Sequence, residues 1–446
     1  MTTRIFHASS PAAVILLAAA IDAGCFTEPD RRILLLSRTG PAPETVPDVS
    51  ETAGFDRLRT RFDEVVSWNA AIDPFHPDGW LPRPDDVPLW ERHFRRAWGL
   101  GGSAVELVVD SPHTGPARAL AQVFTGVPVD VYAEGPGGYG PTGDKVPPLT
   151  GTRVRRLLHP DLVPGVRPLL LAEYGAEPQT VPAEAQMKVI AELADAGSEL
   201  PDFGDAPVLL LGQDLAASGV LPAAEEAELE RDMVRGAATL GHTRLVFAPG
   251  PYGRLEDPAG LRAEAERAGV ELAVLSGPAS RVADDVLLHR LRPALVVGCS
   301  SGALLRATRL HGLPVAAAGT GLLLERLAPY ENPERTAVTL ADALLPDLAD
   351  ADAVAAQRPR SEAELDGLLA AVAFAMRPRV RPDLRAAAER YLTGRLDAHT
   401  WRYFKRRRLA SLALPGAVPA RLAFLRRNAT LRRVARRARQ LKRGRR

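Results

Sequence analysis

The chain has 446 residues with a formal net charge of +2, and 46% of its residues are hydrophobic. This composition excludes a globally disordered protein, and the length is too great for one ordinary hydrophobic core. The two cysteines, Cys25 and Cys299, are too few for a disulfide framework, which indicates a reducing compartment.

The first predicted elements are a strand at 4–6 and a helix that begins near Ser9 and Ser10. The apolar stretch 12–21 is shorter than the ~20 residues that a membrane-spanning helix needs. It also lacks the preceding basic cluster and the small-residue cleavage site of a signal peptide. We therefore expect this helix to be buried and the protein to be cytoplasmic.

Short apolar runs alternate with helical stretches along most of the chain, which predicts βα units. The candidate strands before residue 190 are 33–36, 65–68, 104–109 and 127–132. A linker is predicted at 196–205, and the candidate strands after it are 208–211, 244–247, 271–275, 294–297 and 315–317. The pattern predicts an α/β fold of two doubly wound, Rossmann-like domains, in a GT-B-like arrangement with a cleft between them.

Helices are predicted after residue 345, and the chain ends in a basic tail at 401–446. The tail carries 17 Lys or Arg and no Asp or Glu, so the preceding 400 residues have a net charge of −15. Within it, Leu409, Leu412, Leu422 and Leu425 can form an apolar stripe. Such a segment suits an anionic membrane surface, and the alternatives are a solvated extension and binding to another polyanion. Nucleic acid is not expected, because no base-reading motif is present.

Three short stretches, at 132–136, 246–251 and 297–304, each follow a predicted strand and break at small residues. In open α/β sheets, ligands bind at the carboxyl ends of the strands. These three stretches are therefore the candidate site.

Glu134, in the first stretch, stands in a glycine-rich loop whose backbone can approach a ligand closely. Its carboxylate can take a proton from an acceptor hydroxyl, and the alternative is a solvated loop residue. Asp110 follows another predicted strand and is expected on the same rim, either as a second carboxylate or as a helix cap. His113 and Gly135 are further candidates for the lining of the cleft.

Gly298, Ser300 and Ser301, in the third stretch, follow a predicted strand and open a predicted helix. Free backbone N–H groups at a helix start, together with hydroxyl groups, form a site suited to a phosphate. The alternative is that a serine here only caps the helix.

Together these stretches resemble the bacterial alpha-2,8-polysialyltransferase family, which belongs with the bacterial sialyltransferases of GT-B fold. The resemblance extends over most of residues 1–345. Outside the three stretches, it is carried by the residues at 4–9, 67–69, 74–77, 84–93, 151–159 and 312–315.

In that family, an acidic-acidic-Gly motif supplies the base, a His-Pro motif binds and protonates the CMP leaving group, and a Ser motif holds the donor phosphate. The resemblance implies that Glu134 is the catalytic base. It implies donor binding by Pro249, Gly250, Pro251, Gly298, Ser300 and Ser301. Two positions depart from the family pattern: Ala133 replaces an acidic residue, and Gly250 stands where the family has its His.

The resemblance also implies a division into an acceptor-side α/β domain at 1–195, a CMP-sugar-binding α/β domain at 196–345, a helical closing segment at 346–400 and the basic tail. It implies transfer of sialic acid, or a related 2-keto sugar acid, from a CMP-activated donor to a glycan hydroxyl. No cofactor is expected, and no metal, since CxxC and HExxH motifs are absent from the sequence. Two alternatives stay open: a catalytically impaired family member that binds a glycan or nucleotide, and a GT-B enzyme with another nucleotide sugar.

Overall fold

The computed structural model describes residues 1–40, 42–143, 146–196, 200–250, 255–359 and 364–417. The strands are β1 (Thr2–Ala8), β2 (Arg31–Leu36), β3 (Glu64–Ser67), β4 (Ala104–Val109), β5 (Val129–Tyr132), β6 (Val154–Pro160), β7 (Glu177–Val181), β8 (Val208–Leu211), β9 (Arg244–Ala248), β10 (Glu271–Val274), β11 (Leu295–Gly298) and β12 (Val315–Ala317).

The α-helices are α1 (Pro11–Asp22), α2 (Phe55–Arg59), α3 (Trp68–Ala71), α4 (Val87–Ala97), α5 (Ala117–Val123), α6 (Pro148–Gly151), α7 (Ala183–Ala196), α8 (Ala223–Thr239), α9 (Pro258–Ala268), α10 (Asp284–Leu291), α11 (Gly302–Arg309), α12 (Thr320–Arg326), α13 (Glu334–Leu344), α14 (Ala351–Ala355), α15 (Leu365–Met376), α16 (Arg385–Gly394) and α17 (Arg406–Ser411). Short 3₁₀ helices lie at Pro43–Thr45, Val49–Glu51, Pro84–Asp86, Pro136–Tyr139, Ala172–Tyr174, Gly277–Arg281, Pro382–Leu384 and Thr400–Tyr403. None of the described helices is both long and apolar enough to cross a membrane.

Among the described residues, the strands form two parallel sheets, which confirms the predicted α/β fold with two doubly wound sheets. The first sheet has the order β3-β2-β1-β4-β5-β6-β7, and the second has the order β10-β9-β8-β11-β12. The chain order reverses between β1 and β4 in the first sheet and between β8 and β11 in the second. At such a switch point, the loops leave in opposite directions and open a crevice for a ligand.

The predicted strands agree with the observed ones to within a few residues, but β6 and β7 were missed. The β6 strand contains Arg155 and Arg156, whose guanidinium groups pair with the buried Asp130 carboxylate at 2.8 and 2.9 Å. These charges hide the apolar alternation by which a strand is recognised in a sequence. The β7 strand forms the edge of the sheet, and only Val181 of it is buried.

Helices cover both faces of the first sheet. On one face, α1, α2 and α7 enclose an apolar core that continues into α10 and α11 beside the second sheet. On the other face, aromatic side chains from α3, α4 and the intervening loop pack together; they are Trp68, Trp80, Trp90, Phe94 and Trp98. The continuous core fixes the two sheets relative to each other, while the predicted domain boundaries remain predictions.

The first part of the predicted basic tail packs against the protein. In the described part of it, 401–417, the side chains of Tyr403, Phe404, Leu409 and Leu414 are buried in the core beside the second sheet. The prediction that Leu409 belongs to an exposed apolar stripe is therefore wrong. Leu422 and Leu425 lie outside the described residues.

Candidate functional site

A cavity of about 400 Å³ lies at the carboxyl edge of the first sheet. The loops that follow β1, β4 and β5 form one wall, so the cavity adjoins the switch point of this sheet. The side chains at α13 and after α15 form the opposite wall. The lining includes Ser9, Asp110, His113, Glu134, Thr336 and Arg377.

Glu134 is half-buried in the wall of this cavity. The hydroxyl of Ser10 donates a hydrogen bond to Oε2 of Glu134 at 2.6 Å, while Ser10 also caps α1 by accepting from the N–H of Ala13. Burial raises the pKa of Glu134, whereas Ser10 and the cationic Arg306 oppose that increase. The structure thus rules out the alternative of a solvated loop residue. A carboxyl group with a raised pKa is suited to general base catalysis near neutral pH.

Asp110 and His113 line the same cavity, as predicted for the rim of the sheet. Asp110 Oδ1 accepts from the N–H of Ser111 at 2.7 Å and lies 3.4 Å from Nδ1 of the buried His7. Because α5 begins only at Ala117, Asp110 does not cap that helix. Two of the predicted carboxylates therefore face one cavity.

The opposite wall contains residues that the sequence did not reveal. Thr336 lies on α13, and a β-carbon placed on Gly140 would be 2.6 Å from its Oγ1, so the glycine-rich loop and α13 are in close contact. Arg377 brings a guanidinium group to the lining. Glu331 also lines the cavity and pairs with Arg408 at 2.6 Å. These side chains follow Glu134 by about 200 residues, and no local pattern marks them.

The serine loop at the start of α11 is already hydrogen-bonded within the protein. The N–H groups of Cys299 and Ser300 donate to Oε1 of Gln213 at 3.0 and 2.7 Å, and Ser301 Oγ accepts from the N–H of Ala303. Three N–H groups around this helix start thus have acceptors within the protein, and phosphate binding there stays a prediction. Gln213 was missed because a single amide side chain in a loop has no motif around it.

Gly298, Ser300 and Ser301 do not line the cavity, but the helix that they precede touches the Glu134 loop. A β-carbon placed on Gly302 would lie 3.2 Å from Cδ of Pro136 and 3.7 Å from Cα of Gly135. Two of the three predicted stretches thus meet directly.

Arg306 on α11 connects the two parts of the site. Its Nε donates to both carboxylate oxygens of Asp285 at 2.9 Å, and its Nη1 lies 3.5 Å from the carbonyl oxygen of Glu134. Burial raises the pKa of the adjacent Asp284 to about 6. The Glu134 loop beside the first sheet is thus contacted by a cation from a helix beside the second sheet.

Gly250 lies beside the loop that follows β8. A β-carbon placed on it would be 2.6 Å from Oδ2 and 2.8 Å from the backbone N of Asp214. Any side chain at this position therefore requires the Asp214 turn to move. Pro249 precedes Gly250 directly, and Pro251 lies outside the described residues.

Within the described ranges, no group of three or more His, Cys, Asp or Glu side chains is arranged to hold a metal ion. The absence of a metal and of any other cofactor from the reaction stays a prediction.

A family model described as Alpha-2,8-polysialyltransferase (POLYST) matches residues 4–320. No curated protein sequence matches the chain. A solved sialyltransferase from Photobacterium damselae, residues 113–497 corresponding to the GT-B domain, is 13% identical with a TM-score of 0.38, covering 76% of this chain and 96% of that one. A UGT transferase from Siraitia grosvenorii in complex with UDP is 12% identical with a TM-score of 0.38, covering 90% and 98%. At these identities, the similarity to both structures concerns the fold alone.

Proposed function

The chain belongs to the alpha-2,8-polysialyltransferase family, and on that premise we propose that it transfers sialic acid, or a related 2-keto sugar acid, from a CMP-activated donor to a glycan hydroxyl. Membership of the family supports a glycosyltransferase, whereas the identities of the donor and the acceptor are proposed here. The observation that carries it is the placement of Glu134, which lines a cavity of about 400 Å³ and adjoins the start of α11.

The acceptor hydroxyl is proposed to lie in the cavity within hydrogen-bond reach of Glu134. As the hydroxyl attacks the anomeric carbon, the Glu134 carboxylate takes its proton. The burial that raises the pKa of Glu134 brings that pKa closer to working pH. Asp110 supplies a second negative group in the cavity, which favours the positive charge that develops on the donor sugar.

The donor phosphate is proposed to lie at the start of α11, near the hydroxyls of Ser300 and Ser301. Because Gln213 already accepts from two N–H groups there, the phosphate either displaces its amide or receives a hydrogen bond from it. Arg306, which contacts the Glu134 loop, adds a buried cation close to this helix start.

Transfer from CMP-sialic acid to sialylated oligosaccharides, followed through CMP release and product mass, tests the proposal. The substitution Glu134→Gln keeps the shape of the side chain and removes the base, so kcat is expected to fall by about 10²–10⁴. Glu184→Gln, at an exposed position on α7, is the matched control and is expected to leave the rate unchanged. Full activity of Glu134→Gln would remove Glu134 from the mechanism.

A second candidate function is binding without catalysis. It is favoured by Ala133 and Gly250, because neither residue has a side-chain group that can take or give a proton, whereas the resemblance implies an acidic residue and a histidine at these positions. The carboxylate of Asp214 occupies the space that a side chain at position 250 would need. Calorimetry with CMP, combined with the transfer assay, separates the two functions, since binding without turnover supports the second.

A further inference from the structure

We infer that Asp214 is the acid that gives a proton to the departing phosphate, an inference that rests on the proposed function. Asp214 lies in the loop after β8, the strand at which the order of the second sheet reverses. Its neighbour Gln213 binds the N–H groups of Cys299 and Ser300 on one side of this loop. On the other side, the Asp214 carboxylate occupies the space beside Gly250.

The turn that presents Asp214 is fixed by α8. Glu226 accepts from the N–H of Leu215 at 2.5 Å and from the N–H of Ala216 at 2.7 Å. Asp214 itself has a φ of 51°, in the left-handed region that residues with a β-carbon seldom adopt. Backbone strain of this kind persists where the surrounding structure enforces it, and it is concentrated at functional sites.

Three carboxyl groups are buried together here: Asp214 is 5% exposed, Glu226 is 3% exposed and Glu230 is 5% exposed. Glu226 uses both carboxylate oxygens as acceptors. Oε2 of Glu230 has no hydrogen-bond partner among the described residues. Burial, then Glu226 and Asp214, raise the pKa of Glu230 to about 8.

Of the other charged groups near Glu230, Glu256 adds to the increase of its pKa, and Arg231 opposes it. Because burial and the neighbouring carboxyls raise the pKa of Glu230 to about 8, the cluster retains a proton at neutral pH. That proton lies beside the loops proposed to bind the donor.

No other residue of the two loops supplies an acid. Between β8 and α8, and between β11 and α11, Asp214 carries the one carboxyl or imidazole group in the sequence. In the third loop, Gly250 has no side chain, and the two acids, Glu256 and Asp257, lie at the far end beside α9, where Asp257 accepts from the N–H of Gly260 and pairs with Arg231. Asp214 is therefore the acid beside position 250, where the resemblance implies a histidine.

The reaction balances with two carboxyl groups. The acceptor oxygen forms a bond to the anomeric carbon while the bond from that carbon to the phosphate oxygen breaks. The electron pair of the broken bond leaves with the phosphate. Glu134 receives the hydroxyl proton, Asp214 gives its proton to the phosphate oxygen, and exchange with water restores both groups before the next turnover.

The test compares full-length wild-type protein with Asp214→Asn in the CMP-sialic acid transfer assay. An acid must be protonated to act, so wild-type kcat/KM is expected to fall as the pH rises through the pKa of the cluster. In Asp214→Asn, kcat is expected to drop by about 10²–10⁴ and this basic limb to disappear. CMP binding, measured by calorimetry, is expected to persist. Asp232→Asn, an exposed position on the same helix as Glu226, is the matched control.

Glu230→Gln leaves Asp214 in place and provides a second readout if Asp214→Asn does not fold. The substitution removes the negative charge that an ionised Glu230 places near Asp214. Asp214 is then expected to lose its proton more easily, so the basic limb is expected to move to lower pH. The inference is overturned if Asp214→Asn retains wild-type turnover, or if it loses CMP affinity with kcat unchanged. An unmoved limb in Glu230→Gln also overturns it. Absence of turnover in the wild type with CMP-activated donors is a different result, because it overturns the proposed function itself.

Discussion

Removing the chain after Thr400 is expected to unfold the protein, whereas removing it after Ala417 is not. The shorter version loses four buried side chains: Tyr403 and Leu409 and Leu414 are 0% exposed, and Phe404 is 5% exposed. At about 1.5–3 kcal/mol for each large apolar side chain, their loss costs roughly 6–12 kcal/mol. That is comparable to the whole stability of an ordinary domain, which is about 5–15 kcal/mol.

Polar contacts add to this cost. The hydroxyl of Tyr403 donates to Oδ2 of Asp342 at 2.8 Å, and Arg402 donates to Oδ1 at 3.0 Å, so truncation at 400 removes two donors from a carboxylate that is 0% exposed. The Glu331 side chain in the cavity wall loses its pairing with Arg408 as well. A buried carboxylate that loses its partners is destabilising.

The assay is thermal denaturation of three purified proteins: the full chain, residues 1–417 and residues 1–400. The full chain and 1–417 are expected to melt cooperatively at similar temperatures, and 1–400 to show no such transition. Cooperative melting of 1–400 at the temperature of 1–417 would refute the reasoning. The predicted binding of the tail to anionic membranes is then tested by flotation with anionic liposomes, in which the full chain is compared with 1–417. Flotation of the full chain alone, weakened by salt, is expected.

Three further predictions concern single side chains. Because Arg306 lowers the pKa of Glu134, Arg306→Gln is expected to move the acidic limb of kcat/KM to higher pH, while Arg306→Lys moves it less; an unmoved limb contradicts the contact. Gly250→His alone is expected to lower the melting temperature without raising turnover, since Asp214 fills the space, and Gly250→His combined with Asp214→Gly is expected to melt higher than the single variant. Burial raises the pKa of Asp284 to about 6, so ionisation of this carboxyl lowers the stability as the pH rises from the pKa of the unfolded chain through about 6. Asp284→Asn is therefore expected to raise the melting temperature more at pH 8 than at pH 5. An equal effect at both pH values would contradict the raised pKa.

Several parts of the site were predictable from the sequence because their signals are local. An apolar run that ends in small residues marks the end of a strand, and this placed Asp110 and Glu134 on one rim, where both now line one cavity. Serine is a preferred N-cap residue, which predicted a helix start near Ser10, and the structure shows Ser10 as the N-cap of α1. The family was also readable, because its motifs are short stretches of adjacent residues.

The tertiary structure decided what depends on residues that are distant in the chain. Arg377 lines the same cavity as Glu134. Gln213 accepts a hydrogen bond from the N–H of Ser300, which follows it by 87 residues in the chain. Leu409 was assigned to an apolar stripe of the basic tail because basic residues surround it in the sequence, yet it is buried in the core. Periodicity and capping report only on the nearest few residues, whereas the order of strands in a parallel sheet determines which loops meet. Asp214 came to lie beside Gly250 for that reason, since β8 and β9 are neighbours in the second sheet.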